Sequence, residues 1–120
     1  MKEVNVVNAT RPLPVPLRAG YCVSFLCKLR GLSFRSFLPD DWGLLMAYPR
    51  DSRADSAIHM LGMRFDLAVI WVNTANHVVD VRHARRWSPL IVPRLAASCV
   101  LEAGLHWLEH FEIGDEVSFA

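Results

Sequence analysis

The chain is short of several features that would give away a specialised protein. Only three of its 120 residues are cysteine, and Cys22, Cys27 and Cys99 form no Cys-x-x-Cys pair. This excludes a zinc ribbon, and an odd count does not fit a secreted disulfide framework, so free buried thiols in a reducing cytosol are expected. No apolar stretch approaches the ~20 residues of a membrane-spanning helix, because Arg, Asp or Gly interrupts each one. The start, MKEVNVVNATRPLPVPL, lacks the continuous apolar core of a signal peptide. An excess of one charge sign is also missing. Thirteen basic and twelve acidic residues give +1, which calls for neither nucleic acid nor an anionic membrane. No GxSxG elbow, HExxH helix, internal repeat or low-complexity tract occurs. These absences lead to an expectation of a cytoplasmic protein without a cofactor, a monomer or weak homo-oligomer.

What is present is apolar and evenly distributed. Hydrophobic residues make up 52% of the chain and charged residues 21%, a globular balance. A chain of this length fits one domain and buries enough surface to fold without a metal or disulfide staple. Pro12, Pro14 and Pro16 alternate and favour an extended, weakly paired arm over residues 1–16, with the domain running from 17 to 120. GYCVSFLC (20–27) and WGLLMAY (42–48) read as strands, and the stretch KLRGLSFRSF between them holds one or two helical turns. PRDSRADS (49–56) reads as a loop. In SAIHMLGMRFDLAVIW (56–71) both period-two faces are apolar, which predicts a strand buried on both sides or curled around a small barrel, bent at Gly62. NTANH (73–77) closes a hairpin with VVDVRHA. Leu105, Leu108 and Phe111 are spaced for a short helix, and EVSF is a closing strand. The fold class is mainly β, a compact small β-barrel or sandwich with one or two short helices.

Four segments in order, RGLSFRSFLPDDWGLLMAY, AIHMLGMRFDLAVIWVNTANHVVDV, VLEAGL and IGDEV, together resemble the DUF192 family of small prokaryotic domains. The resemblance spans about residues 20–119 and implies a compact β fold with short helices. It implies no known activity. The chain departs from the family pattern at Ser33, where a methionine is usual, at Asp66 and Ala68, which replace Pro and Asp, and in the shortened approach to Gly104.

Polar residues that interrupt apolar strands need partners, which makes them candidates for a pocket. Arg35, His59, Arg64, Asp66 and Trp87 are the candidates here. Arg64 and Asp66 are two apart on one strand face and predict an ion pair. Trp87 beside Arg82, Arg85 and Arg86 is placed to stack on a ligand or to close a barrel edge. His106 and His110, four apart with Glu102 and Glu109 close by, are weak metal-ligand candidates on an amphipathic helix. The leading expectation is a non-enzymatic module binding a small ligand or a protein partner. The alternative is a small hydrolase-like enzyme using His59 and Asp66, with Arg35 at an anion site.

Overall fold

A side-chain period of two sets most of the architecture. The computed structural model describes all 120 residues. Seven strands form one sheet: β1 (Glu3–Asn8), β2 (Leu17–Cys22), β3 (Trp42–Ser52), β4 (Leu67–Val72), β5 (Val78–Ala84), β6 (Ala97–Gly104) and β7 (Val117–Phe119). Their order is β5-β4-β6-β3-β2-β1-β7, and only β2 and β3 pair in parallel. The sheet curls into a half-barrel that brings β7 back to the start of β5. There Val78 N–H donates to Asp115 O at 2.9 Å, Val117 N–H donates to Asn76 O at 2.8 Å, and His77 bridges Glu116.

The curl has two faces and both are covered. Inside lie Leu17, Leu45, Ile70, Val72 and Leu101, closed by Trp107 and Phe111. Outside, Leu44, Met46, Val69, Trp71 and Val100 are covered by Leu32, Ile58, Met60 and Met63. Burial on both faces is why all six residues of β4 are buried and why its sequence does not alternate.

The hairpin β4–β5, the strand at WGLLMAY and the closing strand form as read from the sequence. Several elements differ. Residues 3–8 are a strand between β2 and β7, so the paired body begins at residue 3 and only the proline-bearing 9–16 stay outside the sheet. β2 ends at Cys22, and Phe25–Arg30 form the helix α1, capped by Ser24 Oγ, which accepts from Cys27 N–H. β3 runs on through Pro49 to Ser52, leaving the loop to begin at residue 53. The long strand expected over 56–71 is only β4; residues 59–66 are turns whose apolar side chains cover the outer face. The C-terminal helix is a 3₁₀ helix, Leu105–His110, that buries Trp107 and leaves Leu105 exposed.

The cysteines also differ from expectation. Cys22 and Cys27 form a disulfide across a Cα–Cα distance of 5.8 Å, tying the end of β2 to the first turn of α1, and only Cys99 is free. The case for a reducing compartment, which assumed free thiols, loses that support. No helix is long and apolar enough to cross a membrane.

Asp115 joins the sheet's ends. Its Oδ2 accepts from Asn8 Nδ2 at 2.9 Å, Glu112 N–H at 3.0 Å and Arg11 Nε at 3.1 Å. Burial opposes its ionisation, but the Asn8, Glu112 and Arg11 bonds outweigh it and hold the carboxyl below its ordinary 3.8. A depressed folded value means this stabilisation is fully present above pH ~4 and is lost as pH falls through the folded value. Asp115→Ala is therefore expected to cost about 2–3 kcal/mol at pH 7 in urea unfolding, with the deficit shrinking under acid.

Candidate functional site

The buried carboxyl of Glu102 is the chemically least ordinary group in the fold. On β6 it pairs in register with Leu44 of β3 and Val69 of β4, in an apolar row on the sheet's outer face. The residue is only 4% exposed, and no donor of the chain is hydrogen-bonded to its carboxyl and no cation paired with it. It faces a recess of about 40 Å³, shared with Arg30, Ser33, Met46, Tyr48 and His59. Gly31, at φ 51°, lets the chain pass close over it; a Cβ there would lie 3.6 Å from Glu102 Oε1. Burial alone pushes this carboxyl up to about 7. Burial, followed by the fields of Glu102 and Asp55, also raises Tyr48, whose ring carries Lys28 Nζ at 3.9 Å from its centre.

The recess is roofed by two turns that hold each other. Ser33 Oγ donates to Leu61 O at 2.7 Å and Phe34 N–H donates to Gly62 O at 2.9 Å. From the opposite side Trp87 N–H donates to Met60 O at 2.9 Å, and Met60 N–H donates to Ser88 O at 2.7 Å. His59 completes the roof. Its Nδ1 accepts from Leu61 N–H at 3.2 Å, so the ring proton lies on Nε2, which donates to Leu29 O of α1 at 3.0 Å.

Beside the recess opens a groove of about 780 Å³, lined by Leu26, Leu29, Phe34, Leu61, Trp87 and the edge of Arg30, among others. α1 buries none of its residues, so Leu26 and Leu29 are exposed on a six-residue helix held mainly by its cap, the disulfide and the His59 bond. Phe34 and Trp87, at φ 65° and 66°, are large aromatics in left-handed backbone, and both stand exposed. Gly62 between them is at φ 77°, and its missing Cβ admits the Phe34 ring.

The residues singled out from the sequence are only partly gathered here. His59 lines the recess and the groove, and Trp87 lines the groove. Arg35 lies over the Trp42 ring at 5.0 Å, in a neighbouring depression shared with Arg30. Asp66 bonds elsewhere, accepting from Arg86 N–H at 2.9 Å and meeting His83 Nε2 at 2.8 Å, and the Arg86 and His83 bonds lower its pKa. His59 and Asp66 thus each hold other partners, and the expected Arg64–Asp66 ion pair does not form. His106 bonds Asp40 O at 3.0 Å, while His110 Nε2 lies 3.7 Å from Glu109; no three metal-ligating side chains converge anywhere. Glu102 is on a strand rather than beside these histidines. The signal that would have found it is the lone charge within the apolar run Cys99-Val100-Leu101-Glu102-Ala103.

The molecule is thus a curled β domain with one buried carboxyl under a roof of turns and an apolar groove alongside. The chain belongs to the DUF192 family (Uncharacterized ACR), which it matches over residues 7–119. It is 32% identical to a UPF0127 protein of Thermococcus kodakarensis, over 95% of this chain and 72% of that one. It is 25% identical to a UPF0127 protein of Pyrococcus furiosus, over 95% and 97% respectively. Its fold is similar to a Sinorhizobium meliloti protein described as a candidate transcription regulator, with TM-score 0.83 and 17% identity over 98% of this chain and 92% of that one. A Novosphingobium aromaticivorans protein of unknown function gives TM-score 0.79 and 20% identity over 97% and 83%.

Glu102 sets a pH dependence of opposite sign to that of Asp115. Below about 4.5 the carboxyl is protonated in both folded and unfolded chain; above that the unfolded chain ionises first, so stability falls until pH reaches about 7. The full penalty is about 3 kcal/mol. Glu102→Gln is expected to match the parent's unfolding free energy near pH 4 and to exceed it by up to ~3 kcal/mol at pH 8. A constant difference between the two across that range would show that the carboxyl is not held neutral.

Proposed function

We propose that this domain is a non-enzymatic binding module whose ligand lies in the groove between α1, the turn at residues 59–62 and Trp87. The observation that carries this reading is the paired strain at Phe34 and Trp87. A bulky residue at positive φ costs on the order of 1–2 kcal/mol and persists where function over-determines it. Both rings are exposed beside one apolar groove; their backbone N–H groups bond the roof turns, but burial of the rings adds little to folding. Exposed apolar side chains on a helix that buries nothing extend the same surface. The enzyme reading built on His59 and Asp66 gains no support, since each is hydrogen-bonded to other groups. A role in transcription, suggested by the name of the Sinorhizobium meliloti neighbour, fits a ligand-sensing domain better than a DNA-reading one at a net charge of +1.

The test uses 1-naphthol, an uncharged apolar probe, followed by backbone amide NMR. Shifts should concentrate at Leu26, Leu29, Phe34, Leu61 and Trp87. Trp87→Gly should abolish them while leaving stability unchanged or raised by up to ~1 kcal/mol, because glycine relieves the left-handed backbone. Shifts scattered over the surface, or equal binding by the variant, would reject the groove.

A further inference from the structure

We infer that the Glu102 recess receives the ammonium group of an apolar α-amino acid whose side chain lies in the groove and whose carboxylate meets Arg30. The inference rests on the groove reading above and names the ligand class for that site.

Three observations converge on it. First, Glu102 is more than nine-tenths buried, faces the recess and has no donor from the chain. A carboxylate in such a place is satisfied by a group that brings both hydrogen-bond donors and positive charge. The chain's own cations do not supply them. Lys28 Nζ is held over the Tyr48 ring, and Arg30 and Lys28 form no ion pair. The recess, about 40 Å³, suits an ammonium group and is too small for a larger head.

Second, Arg30 lines the recess, the groove and the depression beside Arg35, and its guanidinium has no ion-pair partner in the chain. A planar fork of donors without a partner suits a carboxylate. Third, the recess and the groove also share Ser33 and His59 as common lining. An α-amino acid carries one group for each lining, an ammonium for Glu102, a carboxylate for Arg30 and an apolar side chain for the groove, and aromatic side chains suit the Phe34–Trp87 walls.

The test is isothermal titration of the intact domain at pH 8 with L-phenylalanine, 2-phenylethylamine, which lacks the carboxylate, and 3-phenylpropanoate, which lacks the ammonium. The parent should bind L-phenylalanine at least about tenfold more tightly than 3-phenylpropanoate, the difference expected of a charge-assisted hydrogen bond. Glu102→Gln should weaken L-phenylalanine and 2-phenylethylamine by about tenfold or more and leave 3-phenylpropanoate within about twofold. Arg30→Gln should weaken L-phenylalanine but not 2-phenylethylamine. Equal binding of L-phenylalanine by the parent and Glu102→Gln, or of 3-phenylpropanoate and L-phenylalanine by the parent, would overturn the inference. If none of the three binds while 1-naphthol still occupies the groove, the ammonium site falls and the groove stands. If 1-naphthol also fails to bind, both fall.

Discussion

The closure at Asp115 is the constraint on which the rest of the fold depends. A curled sheet of seven strands has two edges, and Asp115 is central to joining them, beside the Val117–Asn76 bond and the His77–Glu116 bridge: its carboxylate takes donors from Asn8 on β1, from Arg11 and from the turn before β7, while its backbone carbonyl takes Val78 N–H at the start of β5. An open edge would expose unpaired backbone groups, and the short β7 would gain little from pairing with β1 alone. Once the edges meet, the inner face becomes a closed core that Trp107 and Phe111 can cap. That core lets β4 and β6 be apolar on both faces, because the sheet's convex side must then find its own cover.

The cover comes from residues 31–35 and 57–65, and it is irregular for a physical reason. Here turns, and not a helix or strand, drop single side chains (Leu32, Ile58, Met60, Met63) onto the curved face. Turns leave backbone groups to be satisfied one by one, and the chain does this by bonding the two turns to each other and to the segment at Trp87. The same irregularity leaves a recess over Glu102 and a groove beside it. The candidate site is therefore a product of covering a convex sheet with loops.

This explains what was legible in the sequence and what was not. Strands whose side chains obey one periodicity, such as β3 and the β4–β5 hairpin, could be read directly, as could the burial of β4 on both faces. Residues 59–66 could not, because His59, Met60 and Met63 are apolar enough for a strand yet serve as cover. β1 was masked by the prolines that follow it, although Val4 and Val6 alternate with polar neighbours. α1 has no periodic apolar face turned inward, so a helical turn was legible near Lys28–Arg30 but its start at Phe25 was not. For the site, His59 and Trp87 were legible as odd residues in apolar or basic text. Arg35 and Asp66 were equally odd but serve Trp42 and His83. Glu102 was hidden by its closeness to the helix that follows, since chain position alone did not show whether it ended the strand or began that helix.

Glu102 and the groove are best understood together, as two local choices that lower stability at one place. A carboxyl in a row between Leu44 and Val69 costs folding free energy at neutral pH that glutamine would not. Phe34 and Trp87 carry backbone strain that glycine would relieve. The exposed apolar face of α1 adds a third departure. No fully buried side-chain polar atom of the chain lacks a partner, and the sheet edges are joined. Departures scattered over the surface would suggest a poorly optimised sequence. Here Glu102, Phe34, Trp87 and the leucines of α1 border the recess and the groove. This concentration is the reason for proposing a binding site there.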